Sequence, residues 1–148
     1  MAVRREPAPA IRAATVADAA ALIPLMRELG YEVTEPLLSA KLTGLATGAQ
    51  DQVLVATAAE ALIGCIACHV LEPLHIRGRL GRITALVIDP GHQRRGVGAR
   101  LLAAAQAFFT ARGCTRVEVA SGEHRSAAHA FYLAQGFSAA SRRFIKTL

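Results

Sequence analysis

Tryptophan is absent, and aromatic residues make up only 5% of the 148-residue chain. So few flat side chains leave little on which nucleic-acid bases could stack. Acidic residues are scarce too: 11 stand against 17 lysines and arginines, giving a formal net charge of +6 and a pI near 10. That balance suits an anionic partner. The basic residues are scattered, and the densest small group, Arg94-Arg95 with Arg100 nearby, sits beside glycines. This favours a compact phosphate ligand over a long polyanion, so nucleic acid is not the expected partner. Long apolar runs are also missing. None reaches the ~18–20 residues needed to span a bilayer. The first ten residues carry two arginines with no apolar segment behind them, unlike a signal peptide. A cytoplasmic chain is the simplest expectation.

Cysteine is limited to three residues. Cys65 and Cys68 form a C-x-x-C, but within an apolar stretch, Leu62–Leu71, that reads as a strand. Residues three apart on a strand point to opposite faces, so the pair cannot chelate one metal or close an undistorted disulfide. No second pair completes a zinc set, and no metal is expected. Repeats and low-complexity tracts are absent. Only residues 1–8 read as a loose arm, and residues 9–148 as a single domain. With 53% apolar and 19% charged residues, the chain can bury a core and is not disordered.

The elements follow from periodicity and punctuation. Ile11–Ala14 reads as a short strand. Thr15-Val-Ala-Asp18 matches a capping box opening a helix to about Leu29, stopped by Gly30. Pro24 inside it removes a hydrogen bond at a cost of roughly 3 kcal/mol, which predicts a kink or break. Thr34 and Pro36 start a second helix with Leu38, Leu42 and Leu45 on one stripe. Gln52–Ala58 and Leu62–Leu71 form a strand pair turning near Glu60, and Leu80–Ile88 is a further strand. A helix over Gly96–Arg112, a strand over Thr115–Ala120, a helix near Arg125–Gln135 and a final strand over Arg142–Lys146 complete the chain. The order β-α-α-β-β-β-α-β-α-β predicts an α/β fold: a mixed sheet with helices on both faces.

Between Ile88 and the helix near Gly96 lies Asp-Pro-Gly-His-Gln-Arg-Arg-Gly-Val-Gly-Ala. A helix N-terminus presents N–H groups without intrahelical partners and the positive end of the dipole. Glycines at 96 and 98 let an anion approach the backbone, and Arg94 and Arg95 add charge. Together they make a pyrophosphate cradle. A Walker loop fails, because no Gly-Lys-Ser/Thr follows. A dinucleotide fold fits poorly. Leu101 takes the third glycine's place, the loop after Ile88 is long, and only one further βα unit remains.

Gln93-Arg94-Arg95-Gly96-Val97-Gly98 resembles the Gln/Arg-x-x-Gly-x-Gly/Ala motif of the GNAT superfamily of N-acetyltransferases. The element order is similar to that fold, and Ala128-His-Ala-Phe-Tyr132-Leu-Ala-Gln-Gly136-Phe137 resembles the family's last helix. The resemblance runs from Ile11 to Leu148. It implies acetyl-CoA as co-substrate and an amine of a small molecule or peptide as acceptor. It also implies that the strand before the loop splays from its neighbour. Leu86, Val87 and Ile88 would then bind the pantetheine arm through their backbone, with an amide near Leu86 or Val87 polarising the acetyl carbonyl. Gln93, Arg94, Arg95, Gly96, Val97, Gly98 and Ala99 would hold the pyrophosphate. Arg125 stands where many relatives carry an asparagine that helps hold coenzyme A.

Tyr132 matches the family tyrosine that protonates the leaving thiolate. The general base departs from the family pattern. The positions aligned with the relatives' strand carboxylate hold Arg82 and Thr84, and Asp89 lies past the strand end. Glu72, His75, Glu32 or a relayed water stay open as alternatives, as does a mechanism without a base. The acceptor would enter between the first two helices, where Tyr31 and Glu32 suit a cationic substrate. A second copy of the chain is a candidate partner. The alternative function is a non-catalytic acyl-CoA sensor or partner-binding module of the same fold.

Overall fold

The structure is a computed structural model and describes residues 8–120, 126–140 and 143–148. Five strands, β1 (Ala10–Ala13), β2 (Asp51–Ala58), β3 (Ala61–Leu71), β4 (Arg79–Ile88) and β5 (Cys114–Val119), form one sheet in the order β1-β2-β3-β4-β5. The first three pairings are antiparallel. Among the described residues only β4 and β5 run parallel, joined by the crossover helix α3 (Val97–Ala111). The mixed sheet expected from the element order is therefore present.

Helices cover both faces. On one side, α1 (Ala19–Glu28) and α2 (Glu35–Ala46) bury Leu22, Leu25 and Leu42 against Val55, Cys65 and Val87. On the other, α3 buries Leu101, Leu102, Ala105 and Phe109 against Ile63, Ile66, Cys68 and Ile83. The Phe131 and Phe137 rings pack on the same cluster, Phe131 from α4 (Ser126–Ala134) and Phe137 from just beyond it. Cys65 and Cys68 thus fall in opposite clusters, as strand alternation requires. Burial pushes both thiols up to about 12.

Local chemistry explains the helix ends. The Asp18 carboxylate accepts the Thr15 N–H at 2.7 Å and takes the Arg12 guanidinium on both oxygens at 2.8 Å. Those Arg12 hydrogen bonds, ahead of the Thr15 contacts, hold the Asp18 carboxyl at about 2. The chain first makes a 3-10 turn over Val16–Asp18, and α1 proper starts at Ala19. Pro24 lies inside α1 without breaking it, so the expected break does not occur. Gly30, with φ +99°, ends this helix in a Schellman motif: its N–H reaches the Arg27 carbonyl and the Tyr31 N–H the Met26 carbonyl.

One element differs. The expected final strand over Arg142–Lys146 is not formed where it is described: residues 143–148 are irregular, with Phe144 and Ile145 93% and 78% exposed. Both side chains stand in solvent and the described part of this segment pairs with no strand, so neither ladder hydrogen bonds nor burial hold it extended.

Candidate active site

β4 and β5 pair from Arg79↔Cys114 only as far as Ile83↔Val119, whereas β4 stays paired to β3 up to Ile88↔Gly64. Beyond Ile83, no strand among the described residues pairs with the β5-side edge of Leu86, Val87 and Ile88. The departure coincides with a bulge. Ala67 pairs with Ala85 and Cys68 with Ile83, leaving Thr84 as the extra residue. A bulge twists and bends its strand locally, which accounts for the splay at this point. Backbone amides and carbonyls along an open strand edge can bind an extended, amide-bearing arm as a strand would.

The open edge leads into the loop. Asp89 caps the turn over Pro90–His92, accepting the Gly91 N–H at 3.1 Å, with the His92 Nδ1 at 3.0 Å. Gln93 donates its side-chain amide to the Ile88 carbonyl at 3.3 Å and so ties the loop to the strand end. Arg94 has φ +64° and Gly96 φ +80°, so the backbone curls left-handed before α3 begins. Successive amides in such a curl point into one concavity suited to an anion. The first α3 bond runs from Arg100 N–H to the Gly96 carbonyl, so the amides of Val97, Gly98 and Ala99 precede the helical ladder. Arg94 and Arg95 are exposed beside them, while the Val97 side chain is buried and can contribute only its backbone. Arg100 donates to the Pro9 carbonyl and holds the N-terminal segment against α3.

Tyr132 is placed by its helix end. Gly136, with φ +92°, closes a Schellman motif: its N–H bonds the Leu133 carbonyl and the Phe137 N–H bonds the Tyr132 carbonyl at 3.0 Å. The Tyr132 ring packs edge-on between Phe131 and Phe137, with centroids at 5.6 and 5.7 Å. Phe131 in turn contacts Gly98, so the helix carrying Tyr132 abuts the loop. Arg125 lies outside the described residues. Tyr31 and Glu32 occupy the α1–α2 link in the layer opposite α3; both are exposed, and Glu32 is paired with Arg27 at 3.3 Å.

Sequence reasoning missed His69. Its Nδ1 meets the Asp51 carboxylate at 2.9 Å and its Nε2 meets the Thr84 hydroxyl at 2.7 Å. The three residues lie on β2, β3 and β4. The available signal was Thr84, already noted where relatives carry a carboxylate; its partner became visible only with strand register. Of the bases weighed from the sequence, Glu72 is held by Arg79 at 2.6 Å. Arg82, at the other aligned position, pairs with Glu118 at 3.1 Å.

A parallel strand that splays at a bulge, runs into a left-handed glycine loop and ends on a helix N-terminus is the frame expected for an acyl-CoA. Residues 20–137 match the acetyltransferase (GNAT) family model. The chain belongs to the GNAT acetyltransferase family. This GNAT protein is 34% identical over 139 residues to an aminoglycoside N(6')-acetyltransferase type 1 of Stenotrophomonas maltophilia, covering 91% of the chain and 90% of that relative. It is 32% identical over 87 residues to an aminoalkylphosphonate N-acetyltransferase of Salmonella typhimurium, covering 59% of the chain and 56% of that relative. Aminoglycoside N-acetyltransferase AAC(6')-Iy, solved with CoA, superposes with a TM-score of 0.86 over 100% of this chain and 99% of that one. Its identity is 16%. A soil-metagenome aminoglycoside acetyltransferase solved with sisomicin gives 0.78 at 24% identity, covering 95% and 96% of the two chains. At these identities the structures speak for the fold. The GNAT chain is an N-acetyltransferase by family. Among its described residues no helix is long and apolar enough to cross a membrane.

Proposed function

We propose that this enzyme transfers an acetyl group from acetyl-CoA to a primary amine of a small molecule. The observation that carries the reading is the end of β4–β5 pairing at Ile83, one residue before the Thr84 bulge. In this reading the pantetheine arm lies along Leu86, Val87 and Ile88. The pyrophosphate rests on the amides of Arg94 to Ala99 with Arg94 and Arg95 at its flank, and Gln93 braces the loop. Amide donors near Leu86 and Val87 polarise the thioester carbonyl where negative charge develops. Tyr132 donates a proton to the departing thiolate, and Arg125 assists with a phosphate. Tyr31 and Glu32 face the incoming amine from the α1–α2 link. Aminoglycosides and aminoalkylphosphonates, the acceptors in the relatives' names, are the first amines to try.

The same reading places the enzyme in the cytoplasm, where its three unpaired cysteines would stay reduced. It gives the enzyme no nucleic-acid partner. A homodimer would cover the exposed Phe144, Ile145 and Leu148, and the molar mass in solution tests this. The test of the activity is acceptor-dependent release of free thiol from acetyl-CoA across an amine panel. Thiol release with at least one primary amine is expected. Tight CoA binding without release for any amine would replace the enzyme with a sensor.

A further inference from the structure

Acetyl transfer from an ammonium substrate needs somewhere for the amine proton to go, and β4 offers no carboxylate for it. Arg82 is engaged by Glu118, and Asp89 is committed to Gly91 and His92. At the bulge itself stands Thr84, exposed, with its hydroxyl on His69 Nε2. On the far side of that ring, His69 Nδ1 meets Asp51. Asp51 and His69 are directly opposed in the β2–β3 ladder and so share a face. Counting back by twos from His69 reaches Cys65, which is buried under α1 and α2. The line therefore lies on the face from which the α1–α2 link is reached. Space is kept for it: a Cβ on Gly48 would come within 2.7 Å of Asp51 Oδ2.

We propose that His69 takes the acceptor's proton through the Thr84 hydroxyl, with Asp51 holding the imidazole so that Nε2 is free to receive it. The proposal rests on the acetyl-transfer reading above. A carboxylate can only accept from Nδ1, so it selects the Nδ1–H tautomer and leaves Nε2 as an acceptor for the Thr84 O–H. An arriving ammonium group passes one proton to Thr84 Oγ while the hydroxyl's own proton moves to His69 Nε2. The neutral nitrogen then attacks the thioester carbonyl. The C–N bond forms, the C–S bond breaks, and its electron pair leaves on sulfur. A second N–H proton ends on that sulfur, by way of Tyr132. The products are the amide, the free thiol and an imidazolium facing Asp51. Among the described residues, the charged groups near His69 include Asp51 from β2 and Arg82 from β4, the latter in register with His69 and already paired with Glu118 from β5. Arg112, just past α3, lines the same cavity as Asp51 and donates to the Ala49 carbonyl. α1 and α2 turn the apolar Ala19, Leu22, Leu25 and Leu42 to this face.

The full chain tests the relay in two ways. Thiol release is followed against pH for the wild type, His69→Ala and Thr84→Val, using whichever of sisomicin, an aminoalkylphosphonate or the remaining panel amines is acetylated. Near neutral pH, kcat/KM for the acceptor should fall at least ~100-fold in both variants, with KM for acetyl-CoA steady. The deficit should shrink toward alkaline pH, where the amine loses its proton unaided, and added imidazole should partly restore His69→Ala. A loss that is the same at every pH and indifferent to imidazole marks a structural role and overturns the relay. So does a loss under ~10-fold, short of general-base catalysis. Independently of any acceptor, nitrogen NMR should find His69 with its proton on Nδ1 and should lose that preference in Asp51→Asn. A proton on Nε2 overturns the relay directly. A wild-type chain that acetylates no amine defeats the functional reading instead, and the tautomer still decides for or against the hydrogen-bonded line.

Discussion

Phe131 Cζ lies 3.3 Å from the point where a Cβ on Gly98 would stand. The first turn of α3, whose amides are proposed to hold the pyrophosphate, and α4, which carries Tyr132, therefore meet at a contact that only glycine permits without displacement. The cradle and the proposed acid are thus joined mechanically.

Gly98→Asp should reduce CoA affinity by at least about 100-fold, equivalent to ~2.7 kcal/mol. The new side chain would press on Phe131 and displace the first turn of α3, and its negative charge would sit close to the amides proposed to hold the pyrophosphate. Calorimetric titration with CoA, alongside circular dichroism to confirm folding, measures the effect. Wild-type affinity in a folded variant would remove the pyrophosphate from this site.

Tyr132→Phe should keep the edge-on contacts with Phe131 and Phe137 and lose only the hydroxyl. A general acid contributes about 100- to 10,000-fold, so kcat should drop by at least ~100-fold with KM for acetyl-CoA little changed. Loss confined to kcat marks an interaction made mainly in the transition state. A drop below ~10-fold would leave water as the proton source.

Asp18 links β1 to the start of α1 through Arg12, and its carboxyl is held at about 2, below the ordinary 3.8. A depressed folded value stabilises the native state above pH ~4, and that stability is lost as pH falls toward 2. The pair should contribute on the order of 1–2 kcal/mol at neutral pH, because the Arg12 side chain is 45% exposed and screened by solvent. Asp18→Asn should lower the urea midpoint at pH 7, and the difference from wild type should narrow below pH 4. An unchanged gap between pH 7 and pH 2 would remove Asp18 from the acid sensitivity.

The buried Cys65 and Cys68 thiols, pushed up to about 12, should resist a thiol reagent at pH 8 in the native enzyme. Cys114 is less deeply buried, though burial raises it as well, and it should react first. Mass spectrometry of partly labelled protein gives the order. Early labelling of Cys65 or Cys68 would contradict the core packing.

Local chemistry was legible residue by residue. Asp18 closing onto Thr15, Thr34 capping α2 by accepting the Leu37 N–H, and Gly30 and Gly136 ending helices all depend on neighbours within one turn. Strand alternation placed Cys65 and Cys68 on opposite faces for the same reason. The final strand expected over Arg142–Lys146 does not form where it is described, because a strand needs a partner edge and burial from the rest of the fold, and Phe144 and Ile145 stay exposed.

The sequence by itself determined the order of elements as far as α4 and the glycine loop before α3, since helix starts, stops and left-handed glycines are encoded over a few residues. It also carried the family resemblance and, with it, the candidate Tyr132. Only the tertiary structure decided where β4 leaves β5, that Thr84 is the bulge, and that Gly98 meets Phe131. The Asp51–His69–Thr84 line belongs to this second group: its members are 18 and 15 residues apart in the chain. Their contact depends on the register of three strands, and a one-residue slip would send each side chain to the other face. That register is set jointly by both buried cores and the bulge, none of which is a property of any short stretch of sequence.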